Sequence, residues 1–344
     1  NVVDICPVGA LTDRDFRFKC RVWYLGSTPS VCPGCSRGCT IQIHDNRERA
    51  WRPHIARGQR VMRLKPRYNP HVNQWWMCDA GRYGYPFIDQ RRLERVRVKQ
   101  DGVQWDGTWE EAFELLTKKL AELRKVQALD RVGVILSSHL TNEDLYAAKR
   151  FFGALGVTRL VFQRQKPGDH DDFLIQADKS PNARGAQALG IPEAGEDLLR
   201  QAAKKPLGIL IVFTQDLTDV FSGAKVDGAL TQLGWLVFIG TNRNRTAERA
   251  DLVLPSAVYA EKEGTFTNVD GRVQRIRAAF PPLGEARPEW DILKTLGERL
   301  GVQAPFSDAQ TIFAELAERE PAFRGLSYEL LGEHGALLSA TNGR

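Results

Sequence analysis

Val31-Cys32-Pro33-Gly34-Cys35-Ser36-Arg37-Gly38-Cys39-Thr40, taken with Cys78, sets four thiols in a C-x2-C-x3-C-x38-C spacing, and no cysteine follows. Three thiols this close together cannot pair as disulfides without severe strain, but all can turn toward one centre. Gly34 and Gly38 let the backbone curl and aim N–H groups at sulfur, and Pro33 stiffens the turn. A fourth thiolate from a distant segment closes the set, and the arrangement reads as a 4Fe–4S site. Two alternatives stay open. A structural zinc also takes four thiolates, although its usual signature is two separated C-x2-C pairs, and unconnected cysteines would be small apolar core residues. The gap before Cys78 holds a basic stretch, Arg47 to Arg67, that reads as an insertion.

Around this stretch lies a chain of 344 residues, enough for a substantial core and two or more structural units. All six cysteines fall at or before Cys78, which argues against a disulfide scaffold and for a reducing compartment with a metal role. No apolar run approaches transmembrane length, so any membrane association is expected through partners only. The net charge of +6 comes from basic residues spread along the chain and mixed with acids. A solvated or partner-facing surface follows, and no nucleic acid is expected as a partner. Residue 1 is Asn, and Asn1-Val2-Val3-Asp4-Ile5 carries no targeting pattern, so the chain reads as starting inside a larger polypeptide.

Residues 1–28 read as a short unit and residues 29–95 as a β-rich cluster module, with Thr40–His44 alternating as a strand and Arg60–Leu64 less cleanly so. From residue 96 to 305 helices and continuous apolar strands alternate. Thr108 with Glu111 and Thr141 with Asp144 cap helices; Val132–Leu136, Leu160–Phe162, Leu207–Thr214 and Trp235–Gly240 read as strands. Helices are expected at Glu196–Lys205 and Gly223–Leu233, and 164–195 reads as a long loop. This pattern predicts a doubly wound, mostly parallel α/β body, followed by a helical tail over 306–344.

Several residues outside the four-thiol set carry their own readings. Cys6-Pro7 has the form of the last ligand of a ferredoxin-type cluster whose other thiols lie upstream, or Cys6 is a free thiol. Cys20, between Lys19 and Arg21, is expected to be a packed thiol without function. The turn after Leu236–Gly240 is where an open sheet places a ligand crevice, yet no G-x-G-x-x-G follows to bind a dinucleotide. His139, His170, Asp169, Asp171 and Asp172 show no triad-like or zinc-like spacing and read as solvated loop residues. Trp75 and Trp76 are placed to shield the cluster from water, although two core tryptophans would look the same.

The stretch NVVDICPVGALTDRDFRFKCRVWYL (1–25) resembles the end of the ferredoxin-like region in one family of NADH-quinone oxidoreductase subunits, the largest of the peripheral arm of respiratory complex I. VCPGCSRGCTIQI (31–43) and VMRLKPRYNPHVNQWWMCDAGRYGY (61–85) resemble the cluster module of the molybdopterin oxidoreductase superfamily, as SSHLTNEDLYAAKRFF (137–152) and ADLVLPSAVYAEKEGTFTNVDGRVQ (250–274) resemble its α/β body. The resemblance implies that Cys32, Cys35, Cys39 and Cys78 ligate one 4Fe–4S cluster and that Cys6 is the fourth ligand of another. It implies electron transfer from NADH and flavin toward quinone, with flavin-bearing and other iron–sulfur subunits of complex I as partners. It also implies a peripheral place on the cytoplasmic side of the inner or plasma membrane.

Departures from the superfamily decide between its branches. No cysteine is left to ligate molybdenum, the corresponding region shrinks to DHDDFLIQADKSPNARGAQALG (169–190), and Ala80 stands where catalytic members commonly carry Lys. A C-terminal cap over the pterin also reads as missing. No molybdopterin and no catalytic residue are therefore expected. The alternatives are a catalytic molybdopterin enzyme, such as a formate dehydrogenase subunit, and a structural module with vestigial clusters.

Overall fold

The computed structural model describes residues 1–46, 59–302 and 306–339. One helical turn, α1 (Val2–Ile5), leads through an irregular segment into a three-stranded antiparallel sheet of β1 (Gly26–Val31), β2 (Thr40–Asp45) and β3 (Val61–Pro66). Period-two alternation explains β2: Ile41 and Ile43 enter the module's core, while Gln42 and His44 face away from it. β1 starts at Gly26, so the expected boundary after residue 28 would cut a strand. Of the basic stretch expected as an insertion, residues 47–58 lie outside the described residues, and its end is β3, paired with β2. Cys78 then caps the short helix α2 (Asp79–Tyr83).

The body opens with a hairpin of β4 (Arg97–Gln100) and β5 (Val103–Asp106), turned by Asp101 and Gly102, both at positive φ as a tight two-residue hairpin requires. α3 (Trp109–Lys125) and α4 (Asn142–Leu155) flank β6 (Val132–Ser137), each starting at the capping box expected for it. β7 (Arg159–Gln163) follows, then α5 (Ala183–Ala188), which lies inside the segment expected to be a plain loop. α6 (Gly195–Lys204), β8 (Ile209–Phe213), α7 (Leu217–Val220), α8 (Gly223–Leu230), β9 (Leu236–Gly240), α9 (Arg245–Arg249) and β10 (Leu252–Pro255) complete the alternation.

These strands form one sheet in the order β5-β4-β10-β9-β8-β6-β7, parallel from β10 to β7 and antiparallel at the β4–β5 edge. Strands buried on both faces read as continuous apolar runs, and β8 shows why. Ile209, Ile211 and Phe213 pack with α3 and α4 on one face, whereas Leu210 and Val212 pack with α6 and α8 on the other. The doubly wound architecture is therefore present.

A second antiparallel hairpin, β11 (Gly264–Thr267) and β12 (Arg272–Ile276), leaves the body toward the cluster module. α10 (Glu289–Leu300), α11 (Ala309–Arg319) and α12 (Tyr328–Leu331) follow. The expected tail is less separate and less helical than its sequence suggests. Ile312, Phe313, Leu316 and Phe323 join the core built on α3 and α4, and β13 (Ala336–Leu337) pairs with β12.

Candidate iron–sulfur site

The tip between β1 and β2 is closed by the Cys32 N–H, which donates to the Cys39 carbonyl at 2.8 Å. Cys32, Cys35 and Cys39 are buried there, with Cys78 half-buried opposite. The four thiols line one cavity of about 30 Å³, rimmed by Met77, Leu174 and Ile175. A Cβ on Gly81 would sit 3.2 Å from the Cys32 sulfur and 3.5 Å from the Cys78 sulfur, so the two thiols face one space that only glycine leaves open. The Gly81 N–H donates to Cys78 Sγ at 3.3 Å.

Electrostatics shows the same convergence. Burial pushes the Cys32 thiol up to about 12, and the fields of Cys35 and Cys78 push the same way against the Gly34 N–H. Cys39 is driven up by burial and by Cys32, Cys35 and Cys78. Thiolates held this close in an apolar cavity need a cationic partner, which ferric and ferrous iron supply. Among the described residues no three His, Cys, Asp or Glu side chains are close enough to share one metal ion. Sulfurs spread around a space suit the corners of a cubane better than a single tetrahedral zinc.

Distant residues hold the tip. Gly38 has φ +67°, and a Cβ there would lie 2.9 Å from Gln274 Oε1 and 3.0 Å from Asn268 Cβ. Gln274 Nε2 donates to the Gly38 carbonyl at 2.9 Å, Asn268 Nδ2 donates to the Arg37 carbonyl at 3.1 Å, and the Ser36 N–H donates to the Asp178 carbonyl at 2.8 Å. Neither Asn268 nor Gln274 stands out in the sequence, because Gln274 sits among arginines in the strand Arg272–Ile276 and Asn268 in the turn before it.

The same hairpin is locked to the body by buried charge. Lys262 Nζ lies 2.7 Å from Asp144 and 2.5 Å from Glu289, and Arg92 forks onto Glu261 with two contacts of 2.8 Å. Glu143 accepts from the Thr265 N–H at 2.8 Å and from the Tyr328 hydroxyl at 3.0 Å; burial pushes its carboxyl up to about 7. The two body motifs quoted above are thus each other's partners.

Beyond Cys32 and Gly81 lies a cleft of about 570 Å³ at the carboxyl ends of β6, β8 and β9, where the crevice of an open sheet is expected. Ala80 borders both spaces, and so does Lys179, whose Nζ donates to the carbonyls of Asp169 at 2.5 Å and Gln176 at 2.8 Å. His139 corrects an expectation: it is half-buried at this cleft, where burial pushes its imidazole down to about 4 against the Pro33 carbonyl. His170, Asp169 and Asp172 are exposed as expected. Exposed Asp171 has a structural task. Its Oδ1 accepts from the N–H groups of Leu174 at 2.6 Å and Ile175 at 2.8 Å, folding the turn that brings both to the cavity rim.

The tryptophans also depart from expectation. Trp75 is 64% exposed and packs tilted against Tyr68 at 4.6 Å, Trp76 packs edge-on to Phe173, and neither lines the cavity. Asn73 Nδ2 donates to the Trp76 carbonyl at 3.0 Å and fixes the turn that sends Met77 inward instead.

Cys6 lies on the segment docked against this site, since Asn1 exchanges hydrogen bonds with Met77 at 2.9 and 3.1 Å. The Leu11 N–H, joined by those of Ala10, Val8 and Gly9, holds the Cys6 thiol below its ordinary value despite a small opposing effect of burial. Cys20 is buried beside Met62, Phe16 and Tyr24, and burial raises its thiol, as suits a packed residue.

Comparison with known proteins agrees with this geometry. The Molybdopterin oxidoreductase Fe4S4 domain matches residues 26–90, and Molybdopterin oxidoreductase matches residues 185–299. An NADH-quinone oxidoreductase subunit of Streptomyces coelicolor is 39% identical, over 76% of this chain and 30% of its own length. The NADH-ubiquinone oxidoreductase 75 kDa subunit of Reclinomonas americana is 24% identical over 92% of this chain and 64% of its own length. The chain therefore spans less than two thirds of these relatives. Among solved structures, Acetylene Hydratase from Pelobacter acetylenicus shares the fold at a TM-score of 0.58 and 10% identity, over 90% of this chain and 74% of its own. The resemblance to these NADH-quinone oxidoreductase subunits, to the molybdopterin oxidoreductase fold and to its 4Fe–4S domain holds over most of the chain.

Proposed function

We propose, from this likeness, that the chain is an iron–sulfur electron-transfer subunit of a complex I type NADH:quinone oxidoreductase. Cys32, Cys35, Cys39 and Cys78 hold one 4Fe–4S cluster, which when bound takes up and releases single electrons. The observation that carries this reading is the enclosure of all four thiols in one apolar cavity, with Cys32 and Cys78 facing a shared space at Gly81. The chain's own part is to ligate, to hold the loop rigid through Asn268 and Gln274, and to keep water out with Met77, Leu174 and Ile175. Cys6, in its backbone N–H pocket, serves as one ligand of a second cluster whose other thiols would lie upstream of it.

Partners on this reading are the flavin-bearing and iron–sulfur subunits of the peripheral arm, with the chain lying on the cytoplasmic side of the inner or plasma membrane. No helix among the described residues is long and apolar enough to cross a membrane, which fits attachment through those partners. A catalytic molybdopterin subunit is the second reading, favoured by the cleft of about 570 Å³ beside the cluster cavity. Iron and molybdenum measured together on anaerobically prepared protein separate the two. The electron-transfer reading expects iron without stoichiometric molybdenum and a paramagnetic signal that appears when the complex is mixed with NADH. Molybdenum near one per chain, with bound pterin, would sink it.

A further inference from the structure

The Tyr259 hydroxyl is a buried polar group to which neither the ligand set nor its scaffold gives a task. Its oxygen is inaccessible to solvent and has no hydrogen-bond partner among the described residues, and the residue is only 5% exposed. Buried tyrosine hydroxyls usually find a partner, because a stranded one gives up its hydrogen bonds to water and gains none in return. The ring is stacked on Phe87 at 6.2 Å and packs in the same apolar cluster as Cys32, Cys39 and Phe266. Tyr259 and Cys32 share the wall of the large cleft, and the charge of a Cys32 thiolate adds to burial in keeping the phenol protonated. The phenol is therefore a neutral donor in surroundings that offer few acceptors. A thiol sulfur is a weak acceptor, whereas a thiolate bound to iron carries the negative charge that attracts an O–H.

We propose that Tyr259 is a positioning residue for the cluster, its O–H donating to the Cys32 sulfur when iron is bound and so stabilising the reduced form. This rests on the reading that Cys32 is a cluster ligand. Hydrogen bonds to ligand sulfur raise a cluster's reduction potential, because reduction adds negative charge that the donor meets. Tyr259 thus makes the cluster easier to reduce than its apolar cavity alone would.

The test is Tyr259→Phe in the assembled complex, which keeps the ring and its packing on Phe87 and removes only the hydroxyl. Iron content, the midpoint potential from a paramagnetic-resonance titration, and the coupling of exchangeable deuterons to the reduced cluster are measured beside the parent protein. Tyr259→Phe should retain its iron, lose one deuteron coupling and titrate at a more negative potential. The expected shift is roughly tenfold in the oxidised-to-reduced ratio at fixed potential, equivalent to about 59 mV for one electron. Retained iron with an unchanged potential and unchanged deuteron couplings would overturn the proposal. So would iron loss confined to Tyr259→Phe, which would give the hydroxyl a role in assembly instead. A parent protein without iron would overturn the cluster reading itself, a separate failure.

Discussion

Two cysteine loops in this molecule solve one chemical problem in opposite ways. The Cys32–Cys39 loop buries its thiols, lets burial push Cys32 up to about 12, and is held in shape by residues far away in sequence. The Cys6 loop leaves its sulfur half-buried and lowers its thiol with the N–H groups of Leu11, Ala10, Val8 and Gly9. The first makes thiolates stable only with a cation among them; the second favours the thiolate through local backbone N–H groups. A closed site depends on the whole fold, and an open one depends on a few dihedral angles.

Removing a ligand is the severest way to break this contrast. Cys39→Ser should lose most of the iron of the closed site, while Cys6→Ser should leave that iron near the parent amount; equal losses measured by iron assay would mean the ligand sets are misassigned. Next comes the scaffold. Lys262→Met strands Asp144 and Glu289 as buried carboxylates, and breaking such a group costs roughly 3–5 kcal/mol in denaturant unfolding. Iron in the closed site should fall with it, because β11 follows Lys262 directly and its hairpin carries Asn268 and Gln274.

Smaller effects sharpen the contrast locally. Gly38→Ala forces a side chain into left-handed backbone and against Gln274, for a cost of roughly 1–3 kcal/mol and a looser cluster. Alkylation of the iron-free chain should label Cys6 before Cys20 as pH rises toward 9, since backbone N–H groups lower the first thiol and burial raises the second. Equal labelling profiles would remove the basis for calling the Cys6 loop preorganised.

Acid offers the gentlest probe. Burial, with Arg63 and Lys65, pushes His44 down to about 4, and burial pushes His139 down to about 4. Folded values below the ordinary 6.5 mean that the stability these residues contribute is complete above about pH 6.5 and is lost as pH falls toward 4. His44 shows the reason directly, because Arg63 Nε donates to its Nδ1 at 2.9 Å and needs that nitrogen unprotonated. His44→Gln should flatten part of the decline in melting temperature across that range.

Much of this was legible because its signals are short in sequence. The Cys32–Cys39 part of the ligand set, the capping boxes at Thr108 and Thr141, and the apolar runs of β6, β8 and β9 each occupy a few adjacent residues. What holds the cluster loop is not local. Asn268 reaches Arg37 across 231 residues and Gln274 reaches Gly38 across 236, separations at which a single sequence carries no pairing signal. His139 read as solvated because its loop is polar, yet the fold tucks it against Pro33. Trp75 and Trp76 read as shields by their apolar size, but the turn fixed by Asn73 sends them outward and Met77 inward. The Asp101-Gly102 hairpin, by contrast, carried a recognisable turn dipeptide that was available from the start.

Whether four thiols share one cluster is decided by iron counted per chain in parent and Cys39→Ser proteins, prepared side by side without oxygen. A shared cubane predicts a difference of about four iron atoms, with loss of one reduced-state paramagnetic signal. Equal iron in the two proteins, or zinc in place of iron in the parent, would contradict it.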